Sequence, residues 1–216
     1  MADSFPLRLQ QILPVPLAGR GPNTIWRQDI SLNSGRNYQI LAPSGTGKST
    51  LIGILNGIRK DYSGNVFLGE ENLSKASLDR WVEIRRKYIS TVFQDLRLFD
   101  QLTAAENISL SGGFEPPAFS KEQVLEWCVR LQIEGKLHDK VGQLSYGQKQ
   151  RVALLRALNR KFKWLLLYEP FSHLDVDNMR IAFELINEQC RAQHAGLIVT
   201  GLDHRFNQDE FITLEI

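Results

Sequence analysis

The sequence predicts an α/β fold: a mainly parallel sheet with helices on both faces, an N-terminal antiparallel β portion and an inserted helical lobe. Three observations carry this. Asn37 to Leu41 (NYQIL) is a strand-like run that enters a glycine-bearing loop, and Ser49 to Asn56 (STLIGILN) then has the apolar spacing of a helix packed on a sheet. Trp164 to Tyr168 (WLLLY) and Gly196 to Thr200 are apolar runs of the kind buried on both sides in a parallel sheet. Helical segments fall between such runs, and strand–helix–strand crossovers produce a parallel sheet covered by helices.

Each element has a local reason. Pro6, Pro14, Pro16 and Pro22 punctuate the first 23 residues, which predicts a short edge strand mixed with irregular chain. Thr24 to Leu32 reads as a strand joined to Asn37–Leu41 by the turn Asn33-Ser34-Gly35. Asn65 to Leu68 is a further strand, Ser77 to Lys87 a helix, and Tyr88 to Phe93 a strand that ends at Gln94. From Asp95 to Val141 the strand pattern stops. Two capping boxes stand there, Thr103-Ala-Ala-Glu106 and Ser120-Lys-Glu-Gln123, in which a hydroxyl and the third-following side chain satisfy free N–H donors reciprocally. Val124, Leu125, Cys128 and Leu131 are assigned to the inner face of the second helix, and Gly112, Gly113, Pro116 and Pro117 to a loop between the two. After WLLLY comes a helix carrying Met179, Ala182, Phe183, Ile186 and Cys190, and Glu210 to Ile216 closes the chain as an edge strand.

Composition excludes several classes. The chain has 216 residues, enough for a real core, and a net charge of +2, too small to argue for nucleic acid. Its longest apolar runs fall far below the roughly 18 residues that span a bilayer. MADSFPLRLQ lacks the basic start and apolar centre of a secretory signal, which points to the cytoplasm. Cys128 and Cys190 have no metal-ligand spacing and read as reduced, partly buried thiols.

Residues 42–50 read APSGTGKST. Backbone N–H groups converge on phosphate oxygens only where side chains do not block them, which is the use of Gly45 and Gly47. Lys48 adds a point charge near terminal phosphates, and the Ser49 hydroxyl is suited to Mg²⁺. Ala42 stands where the usual pattern has its first glycine, so the loop loses some backbone freedom but no functional group.

A second motif, Leu144 to Arg151 (LSYGQKQR), contains another capping box, Ser145-Tyr-Gly-Gln148. With the phosphate loop before it, Gln94 after a strand, LLLYEP (Leu165 to Pro170) and Ser172-His173-Leu174-Asp175 after it, the chain resembles the ATP-binding cassette (ABC) ATPases over nearly its full length. Around FQDLRLFDQLTAAEN (Phe93 to Asn107) it most resembles the small exporter-type cassettes of the lipoprotein-releasing, macrolide-efflux and cell-division group. The resemblance implies a P-loop NTPase (RecA-like) fold, with a nucleotide-binding core at 1–94 and 142–216 and a helical lobe at 95–141. It implies ATP and Mg²⁺ as cofactors, the metal held by Ser49 and Gln94. Nucleotide would be bound by Ser44, Gly45, Thr46, Gly47, Lys48, Ser49 and Thr50 of one copy, and by Ser145, Gly147, Gln148 and Asp175 across a head-to-tail dimer. Glu169 matches the general base, assisted by Gln94 and Lys48. The implied partners are a transmembrane permease subunit and a second copy or a paralogous cassette, at the inner face of the cell membrane, with no nucleic acid. Leu98, Phe99 and Leu102 either receive a helix of the membrane subunit or fill the lobe's own core.

Four positions depart from the family pattern. Tyr168 stands where an Asp holds the metal's water shell, and a neutral phenol cannot balance a cation; loss of such a partner typically costs roughly 10- to 100-fold in affinity or activity. Tyr168 is alternatively the last inward residue of its strand. Gly201 replaces the switch histidine; His204, three residues on, either substitutes for it through a bulged loop or is a surface histidine. No aromatic precedes Thr24 to stack on adenine; Trp26 is the nearest, in a place that also suits the core. Tyr146 replaces a signature glycine, and either crowds the partner's phosphates or turns away. The expected function is the ATP-binding, slowly hydrolysing ATPase subunit of a membrane transporter. A nucleotide-gated scaffold that transports nothing is the competing reading. A soluble ABC protein acting on DNA or ribosomes is a weaker third, because the chain has neither a second cassette nor long insertions.

Overall fold

The computed structural model describes residues 5–19, 25–41, 43, 45–110, 118–201 and 210–216. Ala42, Ser44, the loop glycines and prolines at 112–117, and His204 lie outside these residues. In chain order the strands are β1 (Leu7–Pro14), β2 (Asp29–Leu32), β3 (Asn37–Leu41), β4 (Tyr62–Leu68), β5 (Glu71–Asn72), β6 (Ile89–Val92), β7 (Trp164–Tyr168), β8 (Gly196–Thr200) and β9 (Ile212–Glu215). The α-helices are α1 (Lys48–Leu55), α2 (Leu78–Lys87), α3 (Ala104–Ser109), α4 (Lys121–Arg130), α5 (Tyr146–Leu158) and α6 (Val176–Gln193).

Two sheets form. The parallel one runs β6-β7-β8-β3-β9, so β3 delivers the glycine loop from inside the sheet and β9 lies at its edge. Side chains alternate across β7. Leu165 and Leu167 enter a core with Val152 and Leu155 of α5 and Leu185 and Ile186 of α6, while Trp164 and Leu166 enter a second core with Leu51 and Ile54 of α1 and Trp81 of α2. That double burial is why WLLLY has no polar position before its last residue. Burial of each such side chain contributes about 1.5–3 kcal/mol.

The antiparallel sheet, β2-β1-β4-β5, corrects the expectation for the N-terminal segment. β1 is a central strand, paired with β2 on one side and β4 on the other. Pro6 and Pro14 bound it without interrupting it, and the register shift between Gln10 and Leu13, with Gln11 at φ 51°, bends it. The strand predicted from Thr24 is also shorter, since only Asp29–Leu32 is extended. Ile25 and Trp26 are adjacent and both buried, whereas neighbours in a strand point to opposite faces, and Arg27 at φ 61° turns the chain.

All three capping boxes form, opening α3, α4 and α5. On α4 the inner face differs from the expected one: Leu125 is half exposed and Trp127 is buried instead. Val124, Trp127, Cys128 and Leu131 follow the i, i+3, i+4, i+7 arc, and Leu125, about 100° round from Val124, falls off it. Burial raises the Cys128 thiol to about 11, with Glu134 adding to the effect, and the Cys190 thiol to about 12, so both stay protonated at neutral pH. Among the described residues no helix is long and apolar enough to cross a membrane.

Candidate nucleotide site

The loop between β3 and α1 has the backbone its glycines allow. Gly45 lies at φ 76° and Gly47 at φ 123°, conformations in which a side chain would be strained. The Thr46 hydroxyl donates to the Pro43 carbonyl at 2.7 Å, and Lys48 Nζ reaches the same oxygen at 3.3 Å. Ser49 is exposed at the first turn of α1. Thr50 is buried, and its hydroxyl accepts from Arg59 at 3.4 Å. Trp26 forms the floor of the loop: a Cβ added at Gly47 would lie 3.0 Å from its ring. Only 2% exposed, Trp26 belongs to the core and is not available to stack on a base.

A cleft of about 440 Å³ opens beside the loop, where Ser49 meets Gln94 from the end of β6 and Tyr168 from the end of β7. Burial raises the Tyr168 pKa, and the charge of Glu169 adds to the effect; the Ser49 hydroxyl offsets part of it. The phenol is therefore neutral at physiological pH. Tyr168 is the last residue of its strand and also lines the cleft. Arg59 and Arg97 also line the cleft, and sequence reasoning missed both. Each guanidinium is paired, Arg59 with Asp61 and Arg97 with Asp95, and Arg97 further stacks on the Phe93 ring with its carbon 3.6 Å from the centroid.

At the end of β7, Glu169 adopts φ 45°, unusual for a residue with a side chain, and its N–H donates to the Thr200 carbonyl at 3.1 Å. Gly201 lies at φ 74° directly after β8, and a Cβ there would fall 2.5 Å from Glu169 Cγ. The Glu169 side chain occupies the space that a side chain at 201 would need.

Ser145, Gly147, Gln148 and Asp175 do not line the cleft among its described residues. They form a separate surface at the N-termini of α5 and α6. The Ser145 hydroxyl accepts from Gln148 N–H at 3.3 Å, and Gln148 Oε1 accepts from Ser145 N–H at 2.8 Å. Gly147 packs on the 172–174 loop, with a Cβ position 3.0 Å from the His173 carbonyl. Asp175 caps α6, accepting from Asn178 N–H at 2.9 Å, and that bond lowers its carboxyl pKa. Tyr146 turns into its own chain, where its hydroxyl donates to the Gln94 carbonyl at 2.9 Å and its ring lies 4.2 Å from that of His173. Leu98 packs against the core. Phe99 is 58% exposed, with its backbone fixed by the buried Asn107 side chain on both its N–H and its carbonyl.

A glycine loop issuing from an inner parallel strand into a helix, with an antiparallel sheet alongside and helices on both faces, defines a P-loop NTPase fold. The chain belongs to the ABC transporter family, whose profile matches residues 27–172. It is an ATPase domain of that family, and the exporter-type resemblance is carried by relatives such as the lipoprotein-releasing system ATP-binding protein LolD of Psychrobacter arcticus, 34% identical over 80% of this chain and 78% of that protein. The spermidine/putrescine import ATP-binding protein PotA of Aggregatibacter actinomycetemcomitans is 37% identical over 90% of this chain, which spans only 50% of it. Among solved structures, the dimeric bacterial ABC transporter cassette MJ0796 superposes with a TM-score of 0.82 at 27% identity, covering 97% of this chain and 94% of that one.

Proposed function

We propose that the protein is the ATP-binding subunit of a membrane transporter, closing head-to-tail on MgATP and hydrolysing it slowly. The observation that carries this reading is the cleft in which Ser49, Gln94 and Tyr168 meet beside the glycine loop. Lys48 and the loop N–H groups grip the triphosphate, helped by the positive end of α1. Ser49 and Gln94 are hard, neutral oxygen donors on one cleft and fit Mg²⁺, most of whose charge is balanced by the phosphates. When bound, the ion neutralises charge on the phosphate oxygens. Glu169 then orients and deprotonates the attacking water. Ser145, Gly147, Gln148 and Asp175 serve the partner copy's nucleotide, where the capped N-terminus of α5 presents N–H groups to an anion.

Slow turnover follows from two positions. The neutral Tyr168 supplies no charge to the metal's water shell, and Gly201 supplies no donor to the γ-phosphate; phosphoryl transfer depends mostly on such positioning and charge stabilisation. Steady-state phosphate release is expected below about 1 s⁻¹, under the common enzyme range, and at background in Glu169→Gln. Vigorous Glu169-dependent turnover would overturn the reading of Tyr168 and Gly201. A Gly201→Ala variant is expected to displace Glu169 and lower kcat by roughly 10- to 100-fold, since a misplacement of about 1 Å can cost about 100-fold. Its ATP affinity, measured by calorimetry, should be unchanged.

We assign residues 95–141 to a helical lobe and Phe99 to contact with a transmembrane permease, which would hold the subunit at the cytoplasmic face of the membrane. The exposure of Phe99 on a clamped backbone supports that contact, while Leu98 is partly buried against the core. The non-transporting scaffold remains the second reading, favoured by the same two catalytic replacements. Pull-down from native membranes separates them by the membrane protein recovered.

A further inference from the structure

We propose, building on the reading above, that Tyr146 is a positioning residue: it ties the signature end of α5 to the glutamine loop and to the 172–174 loop of its own chain, and so sets where the Gln94 side chain stands. In the family pattern this position is a glycine, which could make neither contact.

Three observations converge. The Tyr146 hydroxyl donates to the main-chain carbonyl of Gln94 itself at 2.9 Å. Its ring is tilted against the His173 imidazole, with centroids 4.2 Å apart, and the His173 ring nitrogen is 2.9 Å from the Ser172 hydroxyl, which reaches back to the Glu169 carbonyl at 3.4 Å. A second side chain of the same helix holds the far end of the loop: Arg156 donates to the Leu96 and Arg97 carbonyls at 2.6 Å each.

Leu96 and Arg97 are consecutive residues at φ 57° and 48°, a costly conformation for residues with side chains, and one that persists only where neighbours impose it. Beside the local contacts of Arg97 with Asp95 and Phe93, Arg156 holds it from one end and Tyr146 from the other, from points about 15 Å apart along α5 at 1.5 Å rise per residue. With both ends held, residues 94–97 travel with α5. A movement of the signature end is then delivered to Gln94, and through the His173–Ser172 contact to the backbone of Glu169. The tyrosine thereby replaces the missing glycine's openness with a mechanical tie between the surface facing the partner copy and the metal-binding side chain.

The test uses the full chain with its partner subunits. Tyr146→Phe removes the donor and keeps the ring; Tyr146→Gly removes both. Amide exchange at residues 95–98 is expected to rise about five- to tenfold in Tyr146→Phe, the size of one lost hydrogen bond, and further in Tyr146→Gly. ATP affinity and Tm of Tyr146→Phe should stay within about twofold and about 2 °C of the parent, while kcat falls severalfold. Unchanged exchange at 95–98 in both variants would sink the proposal. So would a parallel loss of affinity, Tm and kcat, which marks a merely structural contact. If the parent chain binds no ATP, the proposed function fails, yet the exchange measurement still decides the tie.

Discussion

Replacing Lys48 with Ala is expected to weaken ATP binding by about 100-fold or more, because charge-assisted bonds to phosphate are worth about 1.5–3 kcal/mol each and the cation also acts at longer range. The side chain is poised for this. Its ammonium lies 3.3 Å from the Pro43 carbonyl, inside the loop it would serve. Calorimetry with a non-hydrolysable analogue reads the effect directly. The fold should be untouched, since Lys48 is only half-buried at the start of α1 and outside both hydrophobic cores, and Tm should stay within about 2 °C. Retained affinity in Lys48→Ala would mean that the glycine loop is not where nucleotide binds.

Gly57→Ala is expected to be strongly destabilising for a single added methyl. Gly57 closes the turn after α1 at φ 65°, and a Cβ there would sit 2.1 Å from Cδ2 of Trp81, a fully buried ring in the core beneath the sheet. Left-handed backbone costs a residue with a side chain about 1–2 kcal/mol, and overpacking adds about 1–3 kcal/mol. For a chain of this size the sum predicts a fall in Tm of about 4–20 °C, measurable by calorimetric or fluorescence melting. Trp81 cannot yield cheaply, being packed on the same side as α1 and β7. A Tm within 2 °C of the parent would show that the ring repacks freely.

Much of the fold was legible because the forces that encode it are local. The boxes at Thr103, Ser120 and Ser145 join residues three apart, so their letters alone announce a helix start, and all three form. WLLLY was legible for a related reason: an uninterrupted apolar run has few places to go other than a strand covered on both faces. Where the reading went astray, the deciding partner was distant. β1 looked like an edge because of its prolines, but its neighbours come from residues 29–32 and 62–68, on both sides. Leu125 looked like core because it is a leucine, and only the arc set by Trp127 and Leu131 turned it outward.

The same division runs through the site. Chemistry that resides in a short stretch, such as the glycine loop with its lysine and serine or the order of the motifs along the chain, was determined by the sequence itself, since spacing along a backbone is enough to specify it. Contacts between remote segments were decided only by the folded chain. Tyr146 meets a carbonyl 52 positions away, Arg156 one 60 positions away, and Glu169 takes the room left by Gly201 after a different strand. No local propensity encodes such meetings, because they exist only once two cores have packed and brought the ends of β6, β7 and β8 to one edge of the sheet.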